Sequence, residues 1–328
     1  MLRKQRLDLE DPCPGPVLEP GLAEVVLDLM QAAFAHSPKY RHVRRTAPWA
    51  ERLICPSASP SNLRAPVAGF LLINPRSGSG SPSAEELAQE AKPLGIETHI
   101  LRDGEDAAGL ARSAGADALG MAGGDGSLAP IAAVALERDL PFVCIPFGTR
   151  NHFARDLGID RDDPSGALQA FGGTERRIDV GRADERLFLN NVSLGIYARL
   201  VHRREEHRGR RDAFARVRAW AILLTHRQPL GINIDGVPVE SRLVLAANNA
   251  YILELPSLGE RERLDEGKLY IYCPDAEPSE RSGERFVVDA AEHRLEAAID
   301  GEPDVLSTPV EFRIEPRALR VLVPPERG

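Results

Sequence analysis

The stretch Gly123-Gly124-Asp125-Gly126-Ser127 is the one around which the chain's chemistry gathers. Asp117 to Ala122, just before it, is small and apolar, as a short buried strand is. Leu128 to Glu137, just after it, is alanine-rich and apolar, which predicts a buried helix. Ser127 is placed as the N-cap of that helix and Pro130 in its first turn, where a missing N–H costs little. The glycines then lie between a strand end and a helix start, where free N–H groups and the positive end of the helix dipole favour an anion. Without Cβ atoms the backbone comes close to phosphate oxygens. Asp125 narrows the chemistry. Beside a bound phosphate its carboxylate costs about 1–4 kcal/mol at ~4 Å, unless a divalent cation lies between them or the carboxylate takes a proton during reaction. A tight strand-to-helix turn with an exposed aspartate is the plain alternative.

The elements that would position this loop follow an alternating pattern. Val67 to Ile73 is expected as a buried strand, followed by the polar loop 74–80 and a helix over Ala84–Ala91 capped by Ser83. Gly95 to Ile100 is a second strand and Ala107 to Ala114 a second helix. Pro141 to Pro146 is a fourth strand, followed by Phe147-Gly148-Thr149-Arg150-Asn151 and a helix from near His152. Repeated strand–loop–helix units imply a mostly parallel sheet covered by helices. Ligands of such sheets bind at the carboxyl ends of the strands, so loops 74–80, 123–127 and 147–151 converge on one edge. None is a P-loop or a G-x-G-x-x-G fingerprint.

Beyond about residue 175 the chain is expected to be an antiparallel β domain. Strands are placed at 178–182, 187–192, 230–235, 242–247, 268–272, 285–288, 310–314 and 318–323, with turns at Asp235-Gly236 and Asp300-Gly301. A helical stretch from Tyr197 to Thr225, arginine-rich and then apolar, suits either an anionic membrane surface or a solvated helix packed by its apolar end. The division is therefore 1–65 as an N-terminal extension, 66–175 as an α/β domain and 176–328 as a β-sandwich domain, whose last strand could pack back on the first.

Composition excludes several classes. A net charge of −8 and 5% aromatics argue against a nucleic-acid binder. Cys13, Cys55, Cys144 and Cys273 are scattered, so neither a zinc site nor a disulfide framework is expected, which fits a reducing cytosol. The basic start lacks an apolar signal core, and no run reaches the roughly 20 apolar residues that span a bilayer. The expectation is a cytoplasmic protein whose membrane contact is peripheral, at the inner face.

Taken together, the loops resemble the diacylglycerol kinase catalytic family, which includes bacterial lipid kinases and sphingosine and ceramide kinases. The resemblance rests on Asn74-Pro75-Arg76-Ser77-Gly78, on Gly123 to Ser127 and on Gly148-Thr149-Arg150-Asn151-His152-Phe153-Ala154. It is extended by Asn190-Asn191-Val192-Ser193-Leu194-Gly195, Leu264-Asp265-Glu266-Gly267-Lys268-Leu269 and Asp300-Gly301-Glu302-Pro303. It covers about residues 66 to 325. It implies ATP in a cleft between the two domains, with γ-phosphoryl transfer to a lipid hydroxyl using Mg²⁺. Asn74, Pro75, Ser77, Gly78, Gly123, Gly124, Gly126, Ser127, Gly148, Thr149 and Asn151 would then hold the nucleotide. Asp300, with Glu302, matches the late acidic pair and is the implied base. Asp125 would position Mg²⁺ or phosphate, and in some relatives it takes the base role instead. Asp265 matches a position near a structural Mg²⁺ in relatives.

Four residues depart from the family pattern: Ser127 for threonine, His152 for aspartate, Arg150 for a frequent glycine, and Tyr270 for a second metal-binding aspartate. On residues alone, Asp300-Gly301-Glu302 reads first as a plain hairpin turn. The leading expectation is an ATP-dependent lipid kinase acting on a lipid such as diacylglycerol or a sphingoid base. The alternatives are a soluble small-molecule kinase like the NAD kinases, or a nucleotide- or lipid-binding protein without turnover. Exposed sheet edges leave a homodimer open.

Overall fold

The computed structural model describes residues 68–77, 81–195, 229–252, 259–274, 276–291 and 293–325. The expected extension 1–65 and the helical stretch 197–225 lie outside them.

Strands β1 (Gly69–Ile73), β2 (Ile96–Ile100), β3 (Ala118–Gly123) and β4 (Phe142–Pro146) pair in parallel in the order β2-β1-β3-β4. β1, β3 and β4 are buried along their whole length, as strands covered on both faces must be. The order reverses between β1 and β3, so the loops that leave their carboxyl ends flank a crevice. The helices are α1 (Ala84–Ala91), α2 (Ala107–Ser113), α3 (Asp125–Glu137), α4 (His152–Asp156) and α5 (Pro164–Ala167). Ser83 and Glu86 form a reciprocal capping box on α1. Asp106 and Asp163 cap α2 and α5.

The remaining strands are β5 (Thr174–Ala183), β6 (Arg186–Phe188), β7 (Asn191–Gly195), β8 (Ile232–Ile234), β9 (Val237–Val239) and β10 (Leu243–Asn248). After them come β11 (Leu269–Tyr272), β12 (Glu280–Gly283), β13 (Arg285–Ala290), β14 (Arg294–Ile299), β15 (Glu302–Ser307) and β16 (Val310–Val323). Six of them make an antiparallel sheet in the order β12-β11-β10-β7-β14-β15. Its inner face packs on β13, β8 and β16 through residues such as Phe188, Val192, Val244, Ile271, Val288 and Phe312. This is the α/β unit with mostly parallel sheet plus antiparallel β unit expected from the sequence.

The two units share β16. It pairs antiparallel with β13 and β5, and its end pairs in parallel with β4 at Val321 and Leu322. Its register shifts between Glu315 and Leu319, where Arg317 takes a φ of 48°.

Three local expectations are corrected. α3 begins at Asp125, so Ser127 lies in its first turn and Gly124 is the N-cap. The turn closes early because Gly124 O accepts both the Ser127 N–H (2.9 Å) and the Ser127 hydroxyl (2.7 Å). Pro130 consequently lies inside the helix. The expected strand 187–192 is broken at 189–190, because the N–H groups there serve a side chain described below. The strands expected at 310–314 and 318–323 are one, continued through the irregularity at Arg317.

Phe171 locks the first sheet to the chain that follows it. Neighbouring positions Gly69 and Gly120 carry no side chains, and the Phe171 ring lies where their Cβ atoms would be. Truncation there leaves a ring-sized void over the sheet centre. Phe171→Ala should cost about 3–5 kcal/mol in guanidinium denaturation, and Phe171→Leu clearly less. Equal losses for the two variants would contradict this packing.

Candidate active site

The three loops do meet at one edge. Asn74 leaves β1 with its N–H on Ala122 O (2.9 Å), so the first loop is tied to β3. Its Oδ1 accepts the Arg76 N–H (3.1 Å), and its carbonyl accepts the Ser77 N–H (3.1 Å), which folds Pro75 and Arg76 into a turn. Gly78 lies outside the described residues. The Phe147 N–H donates to Gly123 O (3.3 Å), bringing in the third loop. A Cβ on Gly148 would lie 2.5 Å from Gly124 Cα, so the two backbones touch with no room for a side chain.

Asn151 acts on its own loop. Its Oδ1 accepts the Gly148 N–H (2.8 Å), and its Nδ2 donates to Gly148 O (2.9 Å) and Arg161 O (3.2 Å). Its φ of 51° is left-handed, a region asparagine tolerates better than most residues. Thr149 at the tip of this loop is exposed.

Asp125 opens α3 and also closes α4. Its carboxylate accepts the N–H groups of His152 (3.1 Å) and Phe153 (2.9 Å), the first two of α4. The carboxylate therefore sits at two helix starts, which stabilises its charge. The buried imidazole of His152 lies beside it. Burial lowers its pKa, Asp125 opposes that, and Arg155 and Arg150 add to the lowering. Its Nδ1 is buried with no hydrogen-bond partner among the described residues.

Asp300 is the second carboxylate. It lies in the two-residue turn between β14 and β15, where Asp300 and Gly301 have φ of 48° and 87°, as the tight hairpin turn of twisted strands requires. Asp300 Oδ2 accepts the Leu189 N–H (2.8 Å), and Oδ1 accepts those of Asn190 (2.7 Å) and Asn191 (3.1 Å). These are the donors freed by the break between β6 and β7. The Asp300 carboxyl is pushed up to about 6: burial raises it most, the three N–H groups lower it, and the charge of Asp125 raises it. Glu302, at the start of β15, is exposed and reaches across to α3, where a Cβ on Gly126 would run into its side chain. The late acidic pair and the Gly-Gly-Asp loop thus face one another.

Asp265 stands apart from them. Arg263 donates to its Oδ1 (2.9 and 3.1 Å) and Arg317 to its Oδ2 (3.2 Å), so two guanidinium groups supply its cation. Among the described residues no three His, Cys, Asp or Glu side chains cluster as a metal cage. Both oxygens of the Asp265 carboxylate are thus engaged by guanidinium groups. A cation at Asp125 fits better, because Mg²⁺ is commonly held by one or two carboxylates together with substrate phosphates and water.

Residue patterns did not reveal the buried polar network behind Asp300. Arg261 is 4% exposed and bridges Asp156, Leu189 O, Asn248 O and Asn190 Oδ1. The guanidinium also lies over the Tyr251 ring, at 5.9 Å from its centroid. Tyr251 Oη accepts from Asn191 Nδ2 (2.8 Å), and burial pushes this phenol up to about 12, so it stays protonated. In sequence Arg261 is one of several charges in Glu260-Arg261-Glu262-Arg263, with no local signal to single it out.

Residues 68–183 match the family model of the diacylglycerol kinase catalytic domain. A diacylglycerol kinase of Mycobacterium tuberculosis (strain ATCC 25618 / H37Rv) is 27% identical over 221 residues, spanning 64% of this chain and 69% of that one. A diacylglycerol kinase of Bacillus subtilis (strain 168) is 30% identical over 142 residues, spanning 40% and 47%. Among solved structures, a diacylglycerol kinase from Bacillus anthracis str. Sterne shares the fold with a TM-score of 0.58 at 17% identity, over 79% of this chain and 98% of that one. The match to this catalytic domain and to curated diacylglycerol kinases supports a kinase, a phosphotransferase. The likeness to the diacylglycerol kinase catalytic domain thus spans the α/β unit and β5.

The touching loops give a test that needs no ligand. A methyl at Gly148 collides with the Gly124 backbone, whereas the nearest atom to one at Gly124 is 3.8 Å away. Gly148→Ala should lose about 1–3 kcal/mol of stability, and Gly124→Ala little, in paired chemical denaturation curves. Equal losses would mean that the loops do not abut.

Proposed function

We propose that this protein transfers the γ-phosphoryl group of ATP to the hydroxyl of a lipid, with Asp300 taking the proton of the acceptor. The observation that carries the reading is the pairing of Asp300 with the Asp125 loop across the crevice, with Glu302 reaching the first turn of α3. The nucleotide phosphates belong against the free N–H groups at the start of α3, between loops 74–78 and 148–151. Ser127 retains a hydroxyl in that turn.

Asp125 would hold Mg²⁺ together with the phosphates, and the cation would offset the charge of both. What the chain itself supplies is placement. Asp300 is anionic at neutral pH, and its carboxyl, pushed up to about 6, is more basic than an ordinary aspartate. Phosphoryl transfer needs only a weak base that accepts the proton late, so a carboxylate fixed by three N–H groups suffices. Each carboxylate oxygen can accept two hydrogen bonds, and among the described residues Oδ2 accepts the Leu189 N–H, which leaves it a lone pair for the acceptor hydroxyl.

An apolar cluster on the outer face of the six-stranded sheet favours a lipid acceptor over a polar one. Leu243, Leu245, Ala247, Tyr272 and Ala298 form it, with Tyr251 and Tyr270 packed against it. Ala298 lies two residues before Asp300. Ser193, in register between Leu245 and Ala298, is fully buried and its hydroxyl has no partner among the described residues. Among the described residues no helix is long and apolar enough to cross a membrane, so we infer that acceptor lipid is met at a membrane surface.

The test is ATP consumption with Mg²⁺ against a panel of lipid hydroxyl acceptors in mixed micelles. Turnover should rise tenfold per pH unit through about pH 6 and level above it, because Asp300 must lose its proton before it can accept one. Asp300→Asn should lower turnover by about 10²–10⁴-fold and abolish the acid limb. Consumption with a soluble acceptor alone would overturn the lipid assignment. Turnover that survives Asp300→Asn would move the base to Asp125.

A further inference from the structure

Asp125 and Asp300 stand on opposite sides of the crevice, yet one chain of short polar contacts joins them. Asp125 holds the first two N–H groups of α4. The last residue of α4 is Asp156, whose side chain is 2% exposed. Asp156 Oδ2 accepts from Arg261 Nε at 2.7 Å, and Oδ1 accepts from Arg155. The side chain of Arg261 is 0% exposed. Its Nη1 donates to Leu189 O (2.7 Å) and Asn248 O (3.2 Å), and its Nη2 to Asn190 Oδ1 (2.6 Å). Leu189 and Asn190 are the residues whose N–H groups hold Asp300. Arg261 therefore grips, from its acceptor side, the peptide segment that grips Asp300 from its donor side.

We propose that Asp156 and Arg261 are positioning residues, a buried strut that fixes the two functional carboxylates relative to one another. The role given to Asp300 rests on the kinase reading above; the strut itself rests on the contacts. Burying a guanidinium and a carboxylate costs several kcal/mol per ion in desolvation, and a well-packed apolar pair is commonly as stable. Stability alone gives little reason for an ion pair here. Its geometry gives one: a planar fork makes four directed contacts to three chain segments, which an apolar or ammonium side chain cannot reproduce.

The charges around the strut set the sign of each test. Asp300 faces Arg261 from the 259–268 connection, Asp125 from α3, Tyr251 and, on its own hairpin, Glu302. Asp156 faces Arg261, Arg155 and His152. Removing the Arg261 charge takes a cation from Asp300, so its carboxyl should titrate higher. Removing the Asp156 charge leaves Arg261 less neutralised, so Asp300 should titrate lower. General damage to the fold would move both variants the same way.

The experiment is a carbon-13 carboxyl NMR titration of the full aspartate-labelled chain, with the Asp300 resonance assigned by its loss in Asp300→Asn. Arg261→Met should raise the Asp300 midpoint by about one pH unit, Asp156→Asn should lower it, and Arg261→Lys should leave it near wild type. Shifts of one sign in the first two variants, or no shift in either, would overturn the proposal. If Arg261→Met does not fold, Arg261→Lys and Asp156→Asn still decide it, by an unmoved and a lowered midpoint. Where lipid turnover is measurable, Arg261→Lys should lower kcat by about 10²-fold with KM for ATP nearly unchanged. A rise in KM with kcat intact would assign Arg261 to nucleotide binding instead. A wild-type chain that turns over no lipid would sink the kinase reading, while the titration would still decide the strut.

Discussion

Where regular structure breaks around this site, backbone N–H groups are left without a ladder or helix partner, and at three of the breaks an aspartate takes them. Asp125 takes two at the start of α4, and Asp300 takes three where β6 gives way to β7. Asp179, fully buried, takes the Gly267 N–H (2.6 Å) and the Arg317 N–H (2.7 Å) at the irregularity of β16. Buried donors without acceptors cost about 1–3 kcal/mol each, so these carboxylates are conditions of the fold as well as parts of a site. The fold places charge where the backbone has spare donors, and two of those places, Asp125 and Asp300, face each other across the crevice.

The parallel half of the fold was legible because burial on both faces leaves continuous apolar runs, and β1, β3 and β4 are such runs. Of the helices, α1 was legible from its cap, Ser83. The antiparallel half was less so. β14 and β15 alternate charged and apolar residues weakly, and only the Asp300-Gly301 turn between them stood out. The run 187–192 looked like one strand because its residues are apolar enough for one. Its break is imposed from outside, by a carboxylate more than a hundred residues away in sequence. Likewise Ser127 suits an N-cap by type, yet its hydroxyl bonds back to Gly124 O and the helix starts two residues before it.

The site followed the same division. Loops 74–80, 123–127 and 147–151 could be brought together from strand order alone, since each follows a parallel strand. Asp300 could be named only through the family resemblance, because a hairpin turn with Asp-Gly is a common structural device. Arg261, Asp156 and Tyr251 could not be named at all. Their importance comes from burial and from contacts between distant segments, and a charged residue in a charged stretch gives no sign of either. Asp265 shows the converse: its motif survives, and what its carboxylate contacts is Arg263 and Arg317.

The acidity of Asp300 follows from a conflict that the fold leaves unresolved. Burial favours the neutral acid, and the charge of Asp125 across the crevice adds to that preference. The three N–H groups favour the anion, as does the guanidinium of Arg261 behind them. Neither side wins outright, and the carboxyl settles at about 6. A fully exposed aspartate would be a weaker base, and one buried without those donors would stay protonated at neutral pH and accept nothing. The tuning requires that the chain break at 189–190, that Arg261 be buried against Asp156, and that Asp125 face the hairpin. Each arises from a different part of the sequence, and β16, which pairs with both β4 and β13, holds those parts in register.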